Sequence, residues 1–297
     1  MKAKLVQLSS TDNQQRFYRA VLEFLNEGGF YYLVGGGHAL EQYAGALRVS
    51  KDLDLFVRRV DLSSLLEWLS DKGFLTELSF PHWLAKVFSG RDFIDIIFSS
   101  GNGVCAVDDS WFEHSVPGET LGMKVNLCPA EELIWSKTFI MERERYDGAD
   151  IAHVIRARGD RLDWPRLLRR FETHWQVLLS HLILFDFIYP SERSVIPGWL
   201  IRDLLQRLEA EQAQPLARNH VCRGTLLSRS QYRTDVEDWG YQDARQPPFG
   251  SMTAEETAQW NTATDGSTPQ KTSNESLSSG GDVVYDKRVL VSQSPPK

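Results

Sequence analysis

The stretch that most constrains this chain is an apolar run stopped by three glycines: Phe30-Tyr31-Tyr32-Leu33-Val34, then Gly35, Gly36 and Gly37. Aromatic and β-branched residues favour a strand, and consecutive glycines end it in a turn that side-chain-bearing residues enter poorly. His38-Ala39-Leu40-Glu41-Gln42-Tyr43 then reads as a helix and Asp52 to Arg58 as a second strand. Strand, tight turn, helix and strand in close succession demand an α/β layer.

The flanking pattern extends that layer. Phe17, Val21, Phe24 and Leu25 recur at helical spacing before the stop at Gly28-Gly29, which predicts a helix over 11–27. Asp61 is placed to cap a helix whose Leu62, Leu65, Leu66 and Leu69 share one face, ended by Gly73. Strands are expected at 84–88 and 93–98, joined through the hairpin turn Ser89-Gly90-Arg91-Asp92. From Pro129 the period becomes helical, with helices expected at 129–144, 148–158, 164–188 (broken around Thr173) and 197–212. Beyond Arg245 the chain turns to Pro, Gly, Ser, Thr and Asn. The expected organisation is therefore an α/β (α+β) domain with a mixed sheet over 1–128, a helical domain over 129–249, and a disordered tail over 250–297 that carries the apolar islands Val283-Val284-Tyr285 and Val289-Leu290-Val291.

Composition excludes several functions. A length of 297 residues with 42% hydrophobic side chains is enough for about two packed domains. The formal charge of -7 argues against a strongly basic nucleic-acid coat. Cys105, Cys128 and Cys222 are odd in number and far apart, which fits neither a disulfide framework nor a paired zinc motif, and they suit a reducing compartment. The most apolar segment, Trp175 to Tyr189, is too short to span a membrane and is interrupted by Gln176, His181 and Asp186. A soluble cytoplasmic protein with no membrane partner is expected.

The chemistry concentrates in Lys51-Asp52-Leu53-Asp54-Leu55. Residues i and i+2 of a strand point the same way, so Asp52 and Asp54 present two carboxylates on one face while Leu53 and Leu55 enter the core. Like charges side by side call for a counter-charge, and an all-oxygen carboxylate set suits Mg²⁺. Asp95, in Phe93-Ile94-Asp95-Ile96-Ile97-Phe98, is a third candidate; its plainer reading is a carboxylate paired with Arg91 or Lys86. Asp92 reads as a turn residue. The glycines let backbone N–H groups approach a phosphate at a helix start, but no Lys-Ser/Thr follows them, and Leu40 stands where a dinucleotide fingerprint needs a small residue.

A glycine turn opening a helix, a D-x-D strand and a later strand carboxylate resemble the nucleotidyltransferase superfamily with the DNA polymerase β type fold. Gly-Gly-His-Ala-Leu and Lys-Asp-Leu-Asp-Leu are most similar to bacterial nucleotidyltransferases of the abortive-infection toxin type. The likeness runs from about residue 30 to 155 and takes in the helix start Pro129-Ala130-Glu131-Glu132; the C-terminal half matches no module. The resemblance implies that Gly36 and Gly37 hold a nucleoside triphosphate and that Asp52, Asp54 and Asp95 bind two Mg²⁺ ions and carry catalysis. It further implies that a nucleoside monophosphate passes to an acceptor hydroxyl with release of pyrophosphate. The acceptor is open between a tRNA end, a protein side chain and a small hydroxyl compound. The triple glycine leaves the turn open by one residue. Arg48 is a candidate phosphate contact beside the plainer reading of a solvated loop arginine. Lys137 either reaches the triphosphate or snorkels to water. Asp147 and Asp150 read as the cap and third residue of a helix, Met141-Glu142-Arg143-Glu144-Arg145 as a solvated helix face, and Arg166, Arg169 and Arg170 as part of an amphipathic helix. Two rivals are a catalytically silent, antitoxin-like binding protein of the same fold and an RNA-binding regulator.

Overall fold

A computed structural model describes residues 2–45, 52–215 and 219–263. Arg48 and residues 264–297 lie outside the described residues. Helix α1 (Lys2–Glu27) leads through Gly28 and Gly29 into β1 (Leu33–Val34), α2 (Gly36–Ala44), β2 (Leu53–Phe56), α3 (Leu62–Asp71), β3 (Leu75–Phe80), β4 (Leu84–Ser89) and β5 (Asp92–Ile97). A short α4 (Asp109–Glu113) and the hairpin β6 (Val116–Thr120) and β7 (Met123–Leu127) complete this part. Among the described residues these strands form one seven-stranded sheet in the order β3-β4-β5-β2-β1-β7-β6. β2 runs parallel to β5 and β1 to β7, while the other pairs are antiparallel. The mixed α/β expectation is met. The β6–β7 hairpin was not expected, and its weak alternation, with Val116 exposed and Gly118 under the Leu127 side chain, explains why.

Alternation decides the two faces of the central strands. Leu53, Leu55, Ile94, Ile96, Ala85 and Val87 are all 0% exposed, in one core with Val21, Leu22 and Leu25 of α1 and Leu65 and Leu69 of α3. Every second residue, Asp54 on β2, Asp95 on β5 and Lys86 on β4, therefore faces the other way.

After β7 the chain is helical: α5 (Ala130–Thr138), α6 (Gly148–Arg158), α7 (Trp164–Phe171), α8 (Trp175–Ile188) and α9 (Gly198–Gln212). The break between α7 and α8 comes at Glu172, with φ 42°, beside the expected Thr173. Beyond α9, β8 (Val221–Cys222), α10 (Arg233–Glu237), β9 (Gln242–Asp243) and α11 (Ala254–Thr262) follow, with β8 and β9 paired in parallel.

Two expectations are corrected. The helix expected over 129–144 stops at Thr138, and Met141 and Tyr146 form a β-bridge instead. Glu142 leaves the helical path because its carboxylate accepts hydrogen bonds from Ser228 Oγ and the Arg229 N–H, so this segment is not a solvated helix face. The segment from 250 to 263, expected to be disordered, is folded. Thr253 and Glu256 cap α11 reciprocally, Met252 is 1% exposed, and the buried Arg245 donates to Asn261 Oδ1 at 2.8 Å.

Candidate active site

The register of the sheet assembles the site. Asp54 lies directly opposite Asp95 across the parallel pair β2–β5, and Asp95 opposite Lys86 across β5–β4. Neighbouring strands are about 4.8 Å apart, so three charged side chains stand in a row. Asp52 sits at the bend just before β2, two residues from Asp54, and its charge bears on both Asp54 and Asp95.

Asp54 is the strained member. Burial first, and then the charge of Asp95, push its carboxyl up to about 7, against the opposing pull of Lys137 and Arg145. Asp95 is also raised by burial, but Lys86 pulls it back: the ammonium is 2.6 Å from Asp95 Oδ1. The plainer expectation for Asp95, a pairing with Lys86, is thus present together with its place opposite Asp54. Lys86 also lies over the Phe93 ring at 3.8 Å, which holds the ammonium in place.

The glycine turn has a definite register. A Cβ on Gly36, whose φ is 52°, would fall 1.6 Å from Asp54 Oδ2, so the Asp54 carboxylate occupies the space that a side chain would need. Gly35 donates its N–H to the Asp54 carbonyl at 2.9 Å and lies under the Phe56 ring. Gly36 begins α2 and Gly37 is its second residue, so the carboxylate is pressed against a helix start. His38 is a packing residue here: Nδ1 meets Thr120 Oγ1 at 2.8 Å, and burial lowers its pKa.

Lys137 neither snorkels nor stands alone. Its ammonium is 2.6 Å from Asp147 and 2.9 Å from Asp150, and Arg145 adds a second cation on Asp147. Asp147 does take the cap position of α6, but it makes no side-chain cap bond; burial would raise its carboxyl, and Arg145 and Lys137 together hold it below the usual range. The pair thus stands at the cap and third positions of α6, as expected, and in addition clamps Lys137. Gly36, Asp54, Asp95, Lys137 and Arg145 all line one cavity of about 230 Å³. A larger cavity of about 690 Å³ adjoins it through Asn102 and Leu226 without touching the carboxylates. There the arginines of α7 are mostly committed: Arg166 pairs with Glu131 and Glu132, and Arg170 with Glu132 and Asp108.

Sequence reading passed over several residues at this site. Tyr18 of α1 is 3% exposed, and burial together with Asp52, Asp92, Asp54 and Asp95 raises its hydroxyl. Gln14, one turn earlier, reaches Asp92 at 3.3 Å. Arg145, Trp83 and Trp260 join the cavity from segments read as solvated, unassigned and disordered. Only the pairing of Thr253 with Glu256 could have signalled the last of these.

Among the described residues no group of three or more His, Cys, Asp or Glu side chains is already gathered to enclose a metal. The donor set still fits a hard divalent cation. Its candidate donors are carboxylate oxygens, and the charged form of Asp54 is disfavoured first by burial and then by the neighbouring Asp95, a penalty that a cation would relieve.

No protein-family model and no curated protein matches the chain. Among solved structures, the antibiotic-resistance factor ANT(2'')-Ia in solution is 17% identical, with 68% of this chain and 96% of that one covered at a TM-score of 0.34. The lincosamide antibiotic adenylyltransferase LnuA, lincomycin-bound, is 15% identical, with 47% and 94% covered and a TM-score of 0.34. An antigenic nucleotidyltransferase-like protein from Paracoccidioides brasiliensis is 16% identical, with 62% and 94% covered and a TM-score of 0.43. Among the described residues no helix is long and apolar enough to cross a membrane.

Proposed function

We propose that this chain transfers a nucleoside monophosphate from a nucleoside triphosphate to an acceptor hydroxyl. The observation that carries the reading is the facing pair Asp54 and Asp95 on neighbouring parallel strands, with Gly36 of the helix start pressed against the Asp54 carboxylate. Asp52 and Asp54 would hold two Mg²⁺ ions, with Asp95 completing the set; when bound, the ions supply positive charge to the phosphates and to the attacking oxygen.

The chain's own groups divide the remaining work. The N–H groups at the start of α2, Gly36 and Gly37 among them, receive the triphosphate, and Arg48 is the further phosphate contact we assign. Lys137, fixed between two aspartates, adds a positive charge beside Asp54. The acceptor hydroxyl oxygen bonds to the α-phosphorus, the bond from that phosphorus to the bridging oxygen breaks, and pyrophosphate leaves. The hydroxyl proton passes to the Asp95 carboxylate, whose raised pKa favours its acceptance. Lys86 orients Asp95 for that step.

The Lys86–Asp95 ion pair also favours a second reading, a silent nucleotide-binding protein in which the ammonium has taken the place of a cation. Radiolabelled triphosphate, Mg²⁺ and cell extract separate the two. Transfer lost in both Asp54→Asn and Asp95→Asn supports catalysis, whereas Mg²⁺-dependent binding with no transfer by the wild type supports the silent protein.

A further inference from the structure

The cavity beside the carboxylates has an aromatic wall built by the C-terminal segment. Trp260 of α11 stands edge-on to Phe80 at 5.2 Å and 86°, and to Trp83 at 5.1 Å and 74°. Its ring lies 2.3 Å from where a Cβ of Gly101 would be, so the chain keeps a glycine there to admit it. Gln259, one residue earlier, donates to the Ser79 carbonyl at 3.2 Å and ties the helix to β3. The indole is thus held in place before any ligand arrives.

Trp83 and Trp260 line the same cavity as Gly36, Asp54 and Asp95. The Trp83 indole N–H is buried and meets no acceptor among the described residues. A buried donor without a partner is costly, and a ligand that brings an acceptor relieves the cost. The cavity therefore has two chemically distinct ends. One carries carboxylates, glycine backbone and Lys137; the other carries the Trp83 and Trp260 rings, with Arg229 over the Trp260 ring, and an unmet N–H donor. A ligand matching both has a polyphosphate at one end and, at the other, a planar ring that bears a lone-pair acceptor.

We propose that Trp83 and Trp260 form the wall that receives the nucleobase of the triphosphate, so that these two residues set which nucleotide the chain uses. This rests on the nucleotidyl-transfer reading for the position of the phosphates. Trp260 supplies the ring contact, and Trp83 donates its N–H to a ring nitrogen or carbonyl oxygen of the base.

The test separates the two ends of the cavity by measuring, on the full chain, the affinities of the four nucleosides in EDTA, of Mg²⁺-tripolyphosphate and of the four triphosphates. Trp260→Ala is expected to weaken nucleoside and triphosphate binding about tenfold or more while leaving tripolyphosphate within about twofold. Trp260→Phe, which keeps a ring, is expected to retain most of the affinity, and Trp83→Phe, which keeps a ring but removes the N–H donor, to flatten the preference among bases. A folded Trp260→Ala with unchanged affinity and base preference would overturn the proposal, as would an equal loss of tripolyphosphate. Nucleoside binding that depends on Trp260, in a protein that labels no acceptor, would keep the wall and retire the transfer reading. Transfer that survives Trp260→Ala with its base preference intact would retire the wall alone.

Discussion

Asp54 carries the largest electrostatic cost in the site. Its carboxyl holds a proton up to about 7 in the folded chain, against 3.8 when unfolded. Between those values the folded state binds more protons, so stability falls as pH rises. The penalty is absent below about pH 4 and complete above about pH 7. In EDTA, Asp54→Asn is expected to raise the thermal midpoint by roughly 3 °C or more at pH 8 and by almost nothing at pH 4; a constant offset at both pH values would deny the electrostatic cause. Added Mg²⁺ at pH 8 is expected to stabilise the wild type more than the variant. Gly36→Ala has a different failure: its Cβ would overlap the Asp54 carboxylate at a φ of 52°, so it is expected to remove transfer and cost about 2 kcal/mol or more in urea melts. Lys86→Met leaves Asp95 partly buried and unpaired, and is expected to lower stability by about 1–3 kcal/mol at neutral pH. The face shared by Asp54 and Asp95 was legible because a strand has period two, whereas the clamp on Lys137 was not: it depends on how α5 and α6 pack.

Among the elements, α11 is the one whose role changes most between sequence and structure. Its composition is polar, and apolar content alone predicts disorder. What holds it is a capping box, one tryptophan seated on an aromatic platform, and the buried Arg245 bonded to Asn261, so few residues do the anchoring. Truncation after Gly250 is accordingly expected to lower the thermal midpoint by several degrees, and an unchanged midpoint would show that the segment is not part of the fold. The overshoot of the helix predicted at 129–144 has a similar origin. Phe139, Ile140 and Met141 continue an apolar pattern that local reading extends, while a distant partner, the loop at Ser228 and Arg229, pulls Glu142 away. The helices over 148–158 and 197–212 were legible to within a residue or so, since their patterns are amphipathic and their ends are punctuated by Gly159 and Pro197.

Across the whole molecule, the sheet and the helical part are joined through charge as well as apolar packing. Glu131 and Glu132 at the start of α5 hold the buried Arg166 and its neighbour Arg170, and Arg170 reaches Asp108 before α4. This network fixes α7 against the segment that leaves the sheet. Arg166 and Arg170 are thereby engaged within the fold. Cleft geometry is therefore expected to be rigid, with Asp54, Asp95 and Lys137 presented as one unit. The most direct measurement is transfer itself: each α-labelled nucleoside triphosphate incubated with the protein, Mg²⁺ and fractionated cell extract. Label is expected in one acceptor fraction with pyrophosphate released, abolished by EDTA and by Asp54→Asn. Label that persists in Asp54→Asn, or no transfer from any of the four triphosphates to any fraction, would contradict the proposed function.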